Sequence, residues 1–447
     1  MERVGGEAIG QQSSVRQVAV ASFVGTALEW YDYFIYGTAA ALVFPALFFP
    51  GFSTFAGTLA SFATFGVGFF ARPVGAVFFG HYGDRVGRKA VLVTTLLMMG
   101  VATFLIGILP SYEAIGVLAP VVLVVLRLLQ GFAVGGEWGG AVLMAVEHSP
   151  SETRGFFGSW PQMGAPAGLV LSTAAFTPFA ALPEEQFLSW GWRVPFLISL
   201  LLIAVGLYIR LRITESPIFS QVRETHAEAR APIVDVVRTY PKNIALGTGA
   251  RISIDIAFYI FAVYTLSYVT EQLGLPSSTV LTGLLIAGVI EIFTIPFFGS
   301  LSDRLGQRQV FIGGAVFLAL FALPFFWMLN TKVSVLIWLA LVVGLSVGHA
   351  AAYGPMASFM ARLFGARVRY SGISLSYQLA GILGGALAPF IAVLLYGAID
   401  GPELIALYMA ALCGLTVVCV YLASDFPGDD PEERRLAAER QEAAGQR

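Results

Sequence analysis

The chain has 447 residues, of which 57% are hydrophobic and 12% charged, whereas a soluble globular chain carries roughly 25% charged residues. That composition excludes a soluble globular protein, and a net charge of −2 with no basic block excludes nucleic acid and anionic lipid as partners. Cys413 and Cys419 lie six residues apart in one apolar run, a spacing at which two helical side chains cannot meet.

At about 20 apolar residues per span plus a loop, the length accommodates about twelve spans. The fold class expected is therefore an all-α membrane protein. Residues 1–16 form a polar N-terminal segment, and no small-residue cleavage site accompanies the apolar run that follows, so the first span is predicted to be retained. Apolar runs bounded by charge, Gly or Pro predict spans at 17–43, 55–79, 90–109, 116–146, 156–179, 193–210, 242–270, 278–298, 310–329, 334–359, 371–396 and 403–424.

The first span contains Gly25-Thr26-Ala27-Leu28-Glu29-Trp30-Tyr31-Asp32-Tyr33-Phe34-Ile35-Tyr36-Gly37. Carboxyls at bilayer depth are costly, and they persist where they face a cavity or a partner. Glu29, Asp32, Tyr33 and Tyr36 follow i, i+3, i+4, i+7 spacing, so the stripe is expected to look onto a water-filled path. The alternative is that the two acids only pair with basic groups of neighbouring helices.

After the second span comes Gly80-His81-Tyr82-Gly83-Asp84-Arg85-Val86-Gly87-Arg88-Lys89, and after the eighth comes Gly299-Ser300-Leu301-Ser302-Asp303-Arg304-Leu305-Gly306-Gln307-Arg308. The shared Gly-x-x-x-Asp-Arg-x-Gly pattern recurs at an offset of 219 residues (80 to 299, 84 to 303, 87 to 306), which marks the chain as two duplicated halves. Glycines permit a tight turn there. Asp84 and Asp303 can pair with basic groups or accept from a helix N-terminus, contacts that would hold a gate closed; the plain alternative is a solvated turn.

In the fourth span, Arg127 and Glu137 accompany the run Gly131, Gly135, Gly136, Gly139 and Gly140, a face for close helix packing. Counted at 1.5 Å per residue, Asp32 and Arg127 fall in the same middle zone, and they are the pair expected to meet. Such a contact, altered by movement, would load or release a proton; the alternative is a static ion pair. The seventh span places Arg251, Asp255 and Tyr259 on one face, where Arg251 either meets an anionic solute or satisfies Asp255. Arg72, Glu291 and His349 also stand at depth, His349 either as a group that titrates near neutrality or as a neutral hydrogen-bonded one, and Glu291 without a partner that spacing identifies.

Residues 211–241 read as a polar, partly helical linker between bundles 17–210 and 242–424, and 425–447 as a charged tail. Lys and Arg collect on one set of connections, whereas the alternate set holds only Lys332, so both termini are expected to be cytoplasmic. The chain contains no Walker-type loop, metal-ligand cluster or nucleophile elbow. No cofactor, no metal and no enzyme activity are expected; an ion gradient or the solute itself supplies the energy.

These segments, together with Glu147-His148-Ser149-Pro150, Arg154-Gly155-Phe156-Phe157-Gly158-Ser159-Trp160 and Trp190-Gly191-Trp192-Arg193-Val194-Pro195-Phe196, resemble the metabolite:proton symporter family of the major facilitator superfamily over nearly the whole chain. Tyr36 to Ala40, Ala145 to His148 and Pro183 to Trp190 look most like its shikimate branch. The resemblance implies two pseudo-symmetric six-helix bundles in the cell (inner) membrane. It places Asp32 and Arg127 at proton-coupling positions and Asp84 and Arg85 at a cytoplasmic gate; Glu29 and Glu137 are expected to share the first role, and Gly80, Gly87, Arg88, Asp303 and Arg304 of the repeated loops the second. Tyr33, Tyr36, Gln162, Arg251, Asp255 and Tyr259 are the expected solute site. The implied function is proton-coupled import of a small carboxylate by a monomer; proline/betaine symport and proton-coupled export are the alternatives. The long coiled coil of the osmosensing branch is missing, while Gly164-Ala165-Pro166-Ala167-Gly168 is similar to a drug-antiporter motif.

Overall fold

The computed structural model describes residues 14–224 and 231–423. Most of the expected N-terminal segment, the middle of the linker and the charged tail lie outside the described residues. The described residues contain no strand, and twelve long helices account for most of them. In the first half these are α1 (Val15–Leu42), α2 (Thr54–Gly83), α3 (Arg88–Ile108), α4 (Leu118–His148), α5 (Gly164–Ala180) and α6 (Glu184–Leu211). In the second they are α7 (Pro241–Gln272), α8 (Ser277–Leu305), α9 (Gln307–Asn330), α10 (Ser334–Ala361), α11 (Arg369–Ile399) and α12 (Glu403–Leu422). Ten are long and apolar enough to cross a membrane; the other two are α1, with its paired carboxyls, and the 17-residue α5.

Local chemistry explains the ends. Ser14 and Gln17 form a reciprocal capping box that starts α1, which lets the chain enter the bundle with its first donors satisfied. Pro276 and Pro402 immediately precede α8 and α12. Gly306, at φ +101°, ends α8 and starts α9 in a backbone conformation that a side chain would strain.

Small residues decide which helices touch. A side chain at Gly131 would run into the backbone of Gly68, and one at Gly135 into the backbone of Arg72 to Ala76, so α4 lies directly on α2. Gly164 and Gly168 bring α5 against α1 at Thr26–Ala27 and Trp30–Tyr31 in the same way, which gives the Gly164 to Gly168 segment a packing explanation. In the second half, Thr416 accepts from the Ser253 amide at 3.1 Å and donates to the Gly249 carbonyl at 2.8 Å, tying α12 to α7. The halves meet where α2 packs on α11, α5 on α8, and α4 on α10 and α11.

Several expected bounds need correction. The second and eighth helices run on through the repeated motif to Gly83 and Leu305, leaving only a short turn in each. The fifth span begins at Gly164 rather than 156, because Pro161 lacks an amide donor and separates it from a short helix at Arg154–Gly158. The sixth starts nine residues early, at Glu184. The linker carries two short helices, Pro217–Glu224 and Pro232–Thr239. Cys413 and Cys419 are both buried and free.

Candidate functional site

A cavity lies between the halves, with Trp30 and Phe69 on one side and α7, α8, α10 and α11 on the other. Its second-half wall is built on widened helical turns at Tyr259–Tyr264, Val342–His349 and Gly381–Ala386. Such π-type turns concentrate at functional sites, and here they deliver Tyr259, His349 and Gly381 to the cavity. Arg251 and Asp255 form an ion pair at 2.7 Å, one helical turn apart. The Arg251 guanidinium also donates to the Tyr377 carbonyl and lies 3.3 Å from the centroid of the Tyr377 ring. Of the two readings open for Arg251, the structure therefore shows it satisfying Asp255. Glu291 has a partner that spacing did not reveal: His349 Nδ1 stands 2.6 Å from its Oε1.

The stripe on α1 divides. Adjacent helical positions point about 100° apart, so Asp32 and Tyr33 cannot look into one space. Glu29 and Asp32 turn into a second, smaller cavity inside the first half, shared with Thr95, Glu137 and Ser199. Tyr33 turns toward Arg72 and Tyr259 at the interface between halves. Tyr36 bonds Thr64 at 2.8 Å. Gln162 accepts from the Trp138 indole at 2.7 Å and donates to the Tyr353 carbonyl at 3.4 Å; it bridges α4 and α10 rather than lining either cavity.

The expected contact between Asp32 and Arg127 is not made. Asp32 accepts from Ser199 at 2.8 Å. Arg127 is held instead by Gln130 Oε1 at 3.1 Å and by the faces of Tyr36 and Phe65, 4.2 and 4.7 Å from its centre. Gln130 passes the connection to Thr103 at 2.7 Å. Glu137 pairs with Arg210 of α6 and accepts from Thr95 at 2.6 Å. Spacing does not single out Arg210, because it closes an apolar run, where a basic residue reads as a topology marker. Glu29 keeps one buried carboxyl oxygen without a hydrogen-bond partner.

At the basic end the two repeated aspartates do equivalent work. Asp84, the cap of α2, accepts from the Tyr370 and Ser371 amides at 3.2 and 2.9 Å, at the start of α11. Asp303 of α8 accepts from the Gly155 and Phe156 amides at 2.7 and 2.8 Å, at the start of the short helix Arg154–Gly158. Each carboxylate sits on the positive end of a helix from the opposite half. Arg88, 1% exposed, stands 3.6 Å from both Asp84 and Glu147, and Arg369 stands 3.4 Å from Glu147. Glu215, from the linker, accepts from the Arg88 and Lys89 amides at 3.1 Å each. Gly80 and Gly83 leave room for Ser371 and Tyr370, and Gly87, at φ +121°, makes the turn. Arg85 and Arg304 are exposed, and the cross-half contacts run through Arg88 instead. This end of the molecule is closed.

Burial pushes the Asp84 carboxyl up to about 6, against the opposing pull of Arg88 and the α11 amides. A carboxyl raised in the closed state binds protons more tightly there than when opening exposes it to water. Acidification through pH 6 therefore favours closure, and the effect fades above pH 6, where both states are ionised. Between pH 7 and pH 5 the closed-to-open ratio should rise about tenfold. Spin labels at Tyr82→Cys and Leu305→Cys, both exposed positions, should report this as a growing short-distance population, and an added Asp84→Asn change should flatten the response.

The profile of the Major Facilitator Superfamily matches residues 23–389. The chain belongs to that superfamily. As a Major Facilitator protein it is a multi-pass membrane transporter and not an enzyme, in agreement with the resemblance in its motifs. It is 42% identical over 417 residues to the shikimate transporter of Escherichia coli (strain K12), covering 92% of this chain and 95% of that one. It is 41% identical over 419 residues, with the same coverage, to the inner membrane metabolite transport protein YhjE of that strain. The proline/betaine transporter of Salmonella typhimurium is 34% identical over 392 residues, 86% of this chain and 78% of its own. Among solved Major Facilitator structures, the proton:xylose symporter XylE bound to 6-bromo-6-deoxy-D-glucose superposes with a TM-score of 0.73 at 14% identity, covering 91% and 94% of the two chains, which is a likeness of fold.

Proposed function

We propose that the protein imports a small carboxylate metabolite, shikimate or a near analogue, together with protons, by alternating access across the inner membrane. In this reading residues 17–210 and 242–424 rock about the linker 211–241 in a monomer with both termini cytoplasmic. The observation that carries it is a central cavity lined by charged and aromatic side chains of both halves, in a chain 42% identical to a shikimate transporter. The basic residues gather at the closed end, which favours an outward-facing state. Arg251, Asp255 and Tyr259 border the solute, with Tyr33, Tyr36 and Gln162 behind them. Asp32 and Glu29 exchange protons through the inner cavity, while Glu137 and Arg127 set their field. The gate consists of Asp84, Arg88 and Asp303 with their flanking Gly80, Arg85, Gly87 and Arg304. A second reading, symport of proline or betaine, is favoured by the 34% identical relative; these zwitterions share the carboxylate.

Uptake of labelled shikimate into proteoliposomes separates the readings. An inward proton gradient should drive accumulation, and adding shikimate should alkalinise the outer medium. Uptake indifferent to the gradient removes proton coupling; solute-driven proton movement in the opposite sense indicates exchange. Accumulation of labelled glycine betaine in place of shikimate selects the second reading.

A further inference from the structure

We propose that Arg72 is the anchor for the solute carboxylate, which makes the central cavity a site for small monocarboxylates and carboxylate zwitterions. The inference rests on the carboxylate reading above and assigns the residue that performs it. Five acidic, basic or imidazole side chains line the cavity: Arg72, Arg251, Asp255, Glu291 and His349. Four are already matched, Arg251 by Asp255 at 2.7 Å and Glu291 by His349 at 2.6 Å.

Arg72 is different. Among the described residues no carboxylate lies within ion-pair distance of it, and its Nε is buried without a hydrogen-bond partner. Glu29, in the neighbouring cavity, and Asp255, already paired, feel its field without touching it. An unmatched guanidinium at membrane depth is expensive, and such residues characteristically serve a ligand. Its posture fits that use. The guanidinium rests 4.2 Å from the Phe69 ring centre and 5.1 Å from that of Tyr33, so aromatic faces hold the plane and leave its N–H edge to a guest. A planar fork suits a carboxylate, which it grips through two parallel bonds. The anchor's base is fixed by packing, since its backbone lies directly on Gly135 of α4. Trp30 and Phe258 provide an apolar wall for the carbon skeleton.

The test compares an acid with its uncharged ester. Binding of labelled shikimate, and its displacement by methyl shikimate, is measured on the full chain in lipid nanodiscs. The wild type should prefer the acid, and Arg72→Gln should weaken the acid at least about tenfold while moving the ester less than about twofold. Retained ester binding shows that the variant is folded. If Arg72→Gln does not fold, Arg72→Lys carries the test, with the acid-to-ester preference expected to fall about threefold or more because the planar fork is lost. An unchanged preference in either variant overturns the anchor while leaving carboxylate transport standing. A wild type that binds none of shikimate, benzoate and glycine betaine overturns the carboxylate reading and the anchor together.

Discussion

Asp32→Asn is expected to abolish uphill uptake, bringing the accumulation ratio to equilibrium, while exchange of internal for external solute continues within a few-fold of the wild-type rate. The substitution keeps size and shape, and the Asn oxygen still accepts from Ser199, now at 2.8 Å from the Asp32 carboxylate. Only exchangeable protonation is removed. The geometry makes the separation clean, because Asp32 borders the inner cavity with Glu29 and Glu137 and does not line the central one. Counterflow of labelled shikimate reports exchange, and gradient-driven accumulation reports coupling. An Asn variant that still accumulates solute moves the proton site elsewhere, with Glu29 the next group to replace.

The largest effect on stability is expected at Glu137. Its partner Arg210 is 1% exposed and also donates to the Leu92 carbonyl, and the pair joins α4 to α6 beside α3. Glu137→Leu leaves a guanidinium buried without its counter-charge, a loss of about 3–5 kcal/mol. The reverse change, Arg210→Met, should cost less, since an abandoned carboxyl can neutralise itself by binding a proton whereas a guanidinium cannot. The double variant should recover much of the loss, as buried pairs replaced by apolar groups often do. Unfolding midpoints of the purified protein rank the three. A double variant no better than Glu137→Leu would show that the pair contributes more than compensation of charge.

Periodicity and repetition carried the fold a long way. Apolar runs located every long helix, and the common spacing of Asp84 and Asp303 tied the two halves together before any contact was visible. Their bonding to helix starts was one of two options the motif left open. Pairings between distant helices were not legible. Asp32 and Arg127 lie at similar depth, yet Ser199 takes the acid while Gln130, Tyr36 and Phe65 take the base, because depth says nothing about azimuth. Nor could spacing join Glu291 to His349, 58 residues on, or single out Arg72, whose distinction lies in what its neighbours lack.

One rod carries both the lone guanidinium and the carboxylate of the closed end. Arg72 and Asp84 stand twelve residues apart along α2 and its cap, roughly 18 Å at the helical rise, with Pro73 between them. α4, pressed backbone to backbone along its upper stretch, stiffens this rod into a lever. If the solute binds at Arg72 as proposed, a pull on that arm would bear on the Asp84 contacts at the other along one continuous helix.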